Sequence, residues 1–278
     1  MKQSDETGTE TDSVFGFIAG VYAAAVLAPA VTILAAVGVS ENPATLFFSF
    51  LGSVIVFAGF VGWQARQESV AVRLGRTKWI WLAVVAPFGY GVLMFVVIAA
   101  GLRGAAVGVS MAGMIAGMIT GMGFAVAAQN RYARATLSGS EEYVRFTASA
   151  PKRDRRLVMW SIAVFVVVGL AGMVASVVAD FELGEDLYLL LPISGGLLGA
   201  TTTKTFAVTD AGFLTDQRVH KNLQSWDDFE GFSVREDAVI LRRAGWSAFG
   251  LRDIRRDAAD IEDVDELAEA LERFLPRE

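Results

Sequence analysis

The chain contains no cysteine and a single histidine, His220. The first absence excludes disulfides, zinc–thiolate centres, iron–sulfur clusters and thiol nucleophiles together. The second excludes histidine-based metal clusters. Charge is scarce as well: Asp, Glu, Lys and Arg make up 19% of 278 residues, against about 25% in ordinary soluble domains. No phosphate-binding loop, dinucleotide-binding glycine pattern, nucleophile elbow or zinc-protease helix motif occurs. The sequence therefore points to no reaction. We expect no catalytic residue, no cofactor and no metal. The acidic trio Asp227, Asp228 and Glu230 lacks the glycine and terminal glutamate of a calcium loop and reads as solvated loop charge. His220 lies in a polar stretch without an identifiable catalytic partner.

What is abundant is apolar. Hydrophobic residues make up 54% of the chain, with 28 glycines besides, and the mean hydropathy is +0.46. Six stretches are free of charge: 14–39, 43–64, 79–102, 104–130, 157–179 and 187–203. A membrane-crossing helix needs about 20 apolar residues, with a range of about 17–25. Five stretches reach that length easily. The sixth is at the limit and contains Pro192, Gly195, Gly196 and Gly199. These six predict an α-helical integral membrane protein whose partner is first of all the lipid bilayer. Residues 1–13 are polar and acidic and read as a disordered tail rather than a basic signal region.

The connections differ in sign. Ala65–Lys78 carries Arg66, Arg73, Arg76 and Lys78, and Arg131–Arg156 carries seven basic residues. The opposite-side connections hold Glu41, the turn at Arg103 and the acidic run Asp180–Asp186. Lys and Arg accumulate on the cytoplasmic side. A six-helix count therefore places both termini in the cytoplasm and the chain in the cell membrane. Trp63, Trp79, Trp81 and Trp160 fall at the same helix ends, as an interfacial belt does.

The charge-free stretches draw their polarity from uncharged side chains such as Thr32, Ser49, Ser53, Tyr90, Ser110, Thr120, Ser161 and Ser176. Pumps and proton-coupled carriers usually place ionisable groups at membrane depth, which lowers the transporter or channel reading without removing it. In the fourth stretch Gly113, Gly117 and Gly121 share one face, and Gly104 with Gly108 forms another pair. Glycines four apart let helix backbones approach closely. This face packs another helix, either within the chain or across a homodimer. Ahead of the fifth stretch stand Lys152, Arg153, Arg155 and Arg156. Such a cluster either fixes topology or contacts anionic lipid at about 1 kcal/mol per residue.

From Lys204 to Glu278 the pattern changes to short strand candidates: 205–208, 213–215, 222–226, 232–235, 239–242 and Ala248–Leu251. Ile261, Val264, Leu267, Leu271, Phe274 and Leu275 then recur at helical spacing, with Asp260 as the expected N-cap. Residues 204–278 read as a small cytoplasmic α+β domain that borrows a strand from 142–150. The run Phe206–Thr215 with its Thr-Asp-x-Gly turn at Thr209–Gly212, the Ser225–Val234 run with Trp226, the Ala238–Arg243 strand and the closing helix resemble the pleckstrin-homology-like (PH-like) domain of bacterial YcxB-like membrane proteins. The resemblance covers the last quarter of the chain and the two helices before it. It implies a fold and a membrane location, and no reaction. The expected function is non-enzymatic binding or scaffolding, through an unknown cytoplasmic protein partner. The alternative is a small-solute transporter or channel with a regulatory domain. The net charge of −6 does not suit a nucleic-acid partner. It belongs to the tail: residues 1–203 hold 13 basic and 13 acidic residues, and 204–278 hold 11 and 17.

Overall fold

The computed structural model describes residues 12–40, 42–99, 104–179, 187, 190–199, 201–245 and 253–278. Among them five helical runs are long and apolar enough to cross a membrane: Ser13–Gly38, Pro43–Gln64, Lys78–Ala99, Ala106–Leu137 and Lys152–Ser176. The chain divides into two compact units. One is Met1–Gly139 with Arg218–Asn222, the other Ser140–Gln217 with Leu223–Glu278.

In the first unit α1 (Ser13–Gly38) packs on α2 (Pro43–Gln64) and on α6 (Ala105–Leu137). Asn42 caps α2 by accepting from the Ala44 N–H, and Pro43 stands where no helical donor is needed. The 65–78 connection is not a plain loop. It contains the amphipathic α3 (Glu68–Arg76), which lies on α6 through Ala71, Leu74 and Gly75. The third apolar run is interrupted: α4 (Leu82–Val85) passes through a 3-10 turn at Ala86–Phe88 into α5 (Gly89–Ala99). Pro87 has no N–H to donate, so the α-helical ladder cannot run through it. Large apolar side chains such as Phe48, Phe60, Phe95 and Ile119 are more than half exposed. A surface like this aggregates in water and is ordinary when lipid is the solvent.

Two helix bounds differ from the sequence reading. The fourth span continues past residue 130 to Leu137, and the fifth, α7 (Lys152–Ala179), begins five residues before 157. Charged residues end an apolar window, but they do not end a helix. In the sixth stretch the described helix is α8 (Leu190–Leu198). It is about 14 Å long at 1.5 Å per residue. Residues 1–11, Glu41, 100–103 and the acidic run 180–186 lie outside the described residues.

Of the expected N-terminal tail, Asp12 and Ser13 are structured. Asp12 caps α1 by accepting from the Phe15 N–H at 2.8 Å, and its own N–H donates to the Arg66 carbonyl. Arg131 of α6 donates to both of its oxygens, at 2.6 and 3.3 Å. That guanidinium, chiefly through its hydrogen bond, holds the Asp12 carboxyl below the usual carboxylate range. We expect Asp12→Asn to lower stability by ~1 kcal/mol at neutral pH. The folded carboxyl titrates below its unfolded value near 3.9. The wild-type advantage is therefore complete above about pH 4 and lost as the pH falls through the lowered value. Melting temperatures measured from pH 3 to 7 check this, and equal values at pH 7 refute the pairing.

Among the described residues, seven strands form two antiparallel sheets. The first has the order β1 (Glu142–Ala148), β2 (Lys204–Thr209), β3 (Gly212–Asp216) and β4 (Lys221–Gln224). The second has β5 (Phe229–Val234), β6 (Ala238–Arg243) and β7 (Ile254–Asp257). The closing helix α9 (Val264–Glu272) shares their core. Phe146, Phe206, Phe213, Phe232, Leu241, Leu267 and Leu271 come from both sheets and from α9. Between β1 and β2 the chain makes α7 and α8, which pack on each other where Leu191 meets Gly169. The expected strand at Ala248–Leu251 lies outside the described residues.

The Thr-Asp-x-Gly turn has a stated physical job. Gly212 has φ +148°, and a Cβ there would sit 2.2 Å from the Gln224 carbonyl oxygen. Only glycine lets β4 close on β3 at this point. Thr209 Oγ1 donates to the Gly212 carbonyl at 2.8 Å, and the Trp226 indole N–H donates to the Thr209 carbonyl at 3.0 Å. The Trp226 ring stacks flat on Phe274 with centroids 4.7 Å apart. Asp260 is not the cap of the last helix. That role belongs to Asp263, whose carboxylate accepts from the Glu266 N–H at 2.8 Å. Asp260 is engaged elsewhere.

Candidate functional site at the joint of sheet and membrane helix

The register of β1 on β2 ends with Ala148 opposite Lys204. Just beyond Ala148 the chain turns into α7. Ser149 secures this joint: its N–H and hydroxyl both donate to Asp260 Oδ2, at 2.8 and 2.5 Å, and its carbonyl accepts from the Asp257 N–H. These bonds hold the Asp260 carboxyl below its ordinary range, helped by the positive charges of Arg155 and Lys152. Lys152, Arg153, Arg155 and Arg156, the basic run expected from the sequence, form the exposed first turns of α7. Cations at a helix N-terminus oppose the helix dipole. Asp154 in the first turn and Asp260 across the joint offset them.

Two further cations at this joint were not singled out from sequence. Arg256 of β7 lies with its guanidinium carbon 4.6 Å from the centroid of the Phe206 ring. Its Nε is buried without a hydrogen-bond partner, and one terminal nitrogen donates to the carbonyl of Arg255. Burial pushes this guanidinium down to about 10, so it stays protonated at neutral pH and bears the desolvation cost. Lys204, at the start of β2, is half-buried. Burial lowers its ammonium, and the nearby charge of Arg256 lowers it further. Among the described residues neither cation has a salt bridge. The available sequence signal was the alternation in Ile254-Arg255-Arg256-Asp257, which turns Arg256 and not Arg255 toward the β2 side.

The glycines of α6 separate into two groups. A Cβ at Gly113 would lie 2.9 Å from the Pro29 side chain, at Gly117 2.8 Å from Pro87, and at Gly121 2.2 Å from the Ala83 carbonyl oxygen. This stripe is covered by the chain itself. Gly104 and Gly108 have nothing within 4 Å of an added Cβ. Gly108 lines an apolar groove of about 500 Å³ with Val21, Pro29, Phe50 and Ala112. A second close approach, not noticed in the sequence, joins α1 to α2: a Cβ at Gly20 would lie 2.4 Å from the Ala58 carbonyl oxygen.

The hydroxyls of the spans are spent locally. Thr32, Ser53, Ser110, Thr120 and Ser161 each donate to the carbonyl four residues back in their own helix. Tyr90 donates to the Val26 carbonyl in the turn that Pro29 loosens. Within the first unit, Asn130 donates to the Val219 carbonyl at 2.8 Å and accepts from the Lys221 N–H at 2.6 Å, and His220 Nε2 lies 2.5 Å from Gln129 Oε1. Among the described residues no three His, Asp or Glu side chains converge on one point that could hold a metal. No protein-family model, curated protein or solved structure matches this chain.

Proposed function

We propose that this chain is a six-crossing protein of the cell membrane with both termini in the cytoplasm. Its sheet unit is of the PH-like kind and serves as a non-enzymatic binding or scaffolding domain for a cytoplasmic protein partner. The observation that carries the reading is the pairing of β1 with β2 across the helical hairpin. It ties the sheet to both ends of segment 149–203, so that segment starts and finishes on one side of the bilayer. One crossing by α7 then requires a return through 180–203, and α8 packing back on α7 supports it. Four strands, then three, then a C-terminal helix support the PH-like assignment. The basic connections support the cytoplasmic side. Self-association through α6 has the Gly104–Gly108 end left to use, since the other three glycines are covered.

The absence of native cysteine makes the test clean. Glu236, in the exposed β5–β6 turn, is replaced by cysteine and probed with an impermeant maleimide. Labelling is expected only after the cells are opened. Labelling of intact cells overturns the orientation. Affinity capture from membranes crosslinked in vivo then compares the full chain with one ending at residue 203. If every partner survives that truncation, the sheet unit is not the binding domain.

A further inference from the structure

We infer that Lys204 and Arg256 form a seat for the phosphate headgroup of an anionic lipid in the bilayer that α7 enters. The inference rests on the membrane reading and is independent of the protein-partner reading. Three observations carry it.

The first is place. Lys204 pairs with Ala148, four residues before Lys152 opens α7. It also follows directly on the sixth apolar stretch. Both chain connections put Lys204 where a helix enters the membrane, at headgroup depth. The second is preorganisation. Arg256 is held on the Phe206 ring, and its buried Nε has no partner. A guanidinium fixed in this way presents its fork without further ordering, and a phosphate matches that fork. The third is unrelieved repulsion. Lys204 and Phe206, two apart on β2, share one face, and Arg256 lies over the Phe206 ring, so the two partly desolvated cations are neighbours and one disfavours the charge of the other. The acids at the joint are engaged elsewhere: Asp260 accepts from both donors of Ser149, and Asp257 accepts from the Ala259 N–H. Buried charge left unpaired is destabilising, and an anion between the two cations removes that cost. A bilayer offers such anions permanently at this depth, whereas free phosphate has to be captured from solution.

The test uses the full chain in detergent. Dioleoyl phosphatidylglycerol, dioleoyl phosphatidylcholine and inorganic phosphate are added separately at equal phosphate concentration. Native mass spectrometry reads retained lipid, and thermal melting reads stability. Wild type is expected to retain phosphatidylglycerol and to melt higher in its presence. Arg256→Met and Lys204→Gln are each expected to lower its retention about tenfold, as loss of one charge-assisted contact does. Without lipid, Arg256→Met is expected to melt above wild type, because a buried charge becomes an apolar side chain of similar length. A damaged fold does not do that. Arg76→Gln, which removes a basic residue of the first unit, is expected to change neither readout. Equal retention of the two lipids, wild-type retention by both variants, or an equal melting shift from inorganic phosphate overturns the inference. If Arg256→Met does not fold, Lys204→Gln decides alone.

Discussion

Gly212→Ala is expected to lower the melting temperature of the sheet unit by ~12 °C or more. The added Cβ meets the Gln224 carbonyl oxygen at 2.2 Å, at a residue whose φ of +148° side chains rarely adopt. Strain of this kind costs about 1–3 kcal/mol by itself, and the backbone overlap adds to it. We take ~3 kcal/mol as the lower figure, and a domain of this size loses about 4–8 °C per kcal/mol. The damage spreads because Gly212 is part of a chain of contacts. Its carbonyl accepts from Thr209 Oγ1, the Thr209 carbonyl accepts from the Trp226 indole, and that ring stacks on Phe274. Near-ultraviolet dichroism, which is dominated by packed aromatics, is the measurement to follow with temperature. A transition within 3 °C of wild type refutes the steric account.

In the helical unit the corresponding experiment is a pair of substitutions two residues apart. Gly121→Ala puts a Cβ 2.2 Å from the Ala83 carbonyl oxygen, whereas Gly123→Ala puts one into open space. Helix propensity favours alanine over glycine by about 0.8–1 kcal/mol at both positions. Packing acts only at the first. There α6 has to move off α4, and overpacking of this kind costs about 1–3 kcal/mol. Gly121→Ala is therefore expected to be destabilised by ~1 kcal/mol net and Gly123→Ala to melt at or above wild type. Thermal unfolding in one detergent compares them directly. Equal shifts of the same sign show that the close approach of α6 to α4 is not used.

The sequence made the spans legible because a bilayer imposes a length and an absence of charge, and both can be counted. It hid the helix ends, because helicity does not depend on charge: Lys152–Arg156 are helical and Arg131 lies inside α6. It hid α3, whose nine residues alternate Val and Leu with Arg and so look like a basic loop. The turn at Thr209–Gly212 was readable as a local signal, whereas Trp226, expected to enter a strand, lies in a 3-10 turn and stacks on Phe274, which is distant in sequence. Strand β7 was not, since two adjacent arginines mask a four-residue alternation. Asp260 and Asp263 are equivalent capping candidates on paper. Only Ser149, 111 positions away from Asp260 in sequence, decides between them. The cationic pair is invisible for the same reason: Lys204 and Arg256 stand in different sheets and are brought together by the packing of Arg256 on Phe206, and by nothing in their local sequence.

The position of β1 has a consequence for synthesis. This strand leaves the ribosome before the helical hairpin, and its partner β2 begins 56 positions after the last residue of β1. At about 5–20 residues per second, β1 waits roughly 3–11 s with an unpaired edge, which is an aggregation hazard. Its sequence carries a safeguard for that interval. Glu142 and Arg145 pair with each other on the exposed face at 2.7 Å, so the waiting strand presents charge to the solvent. On the proposed six-crossing topology, completion of the sheet records that the hairpin has been inserted and has returned. On the proposed topology, a chain whose return crossing fails keeps β2 across the bilayer from β1 and leaves the first sheet without its β1–β2 pairing.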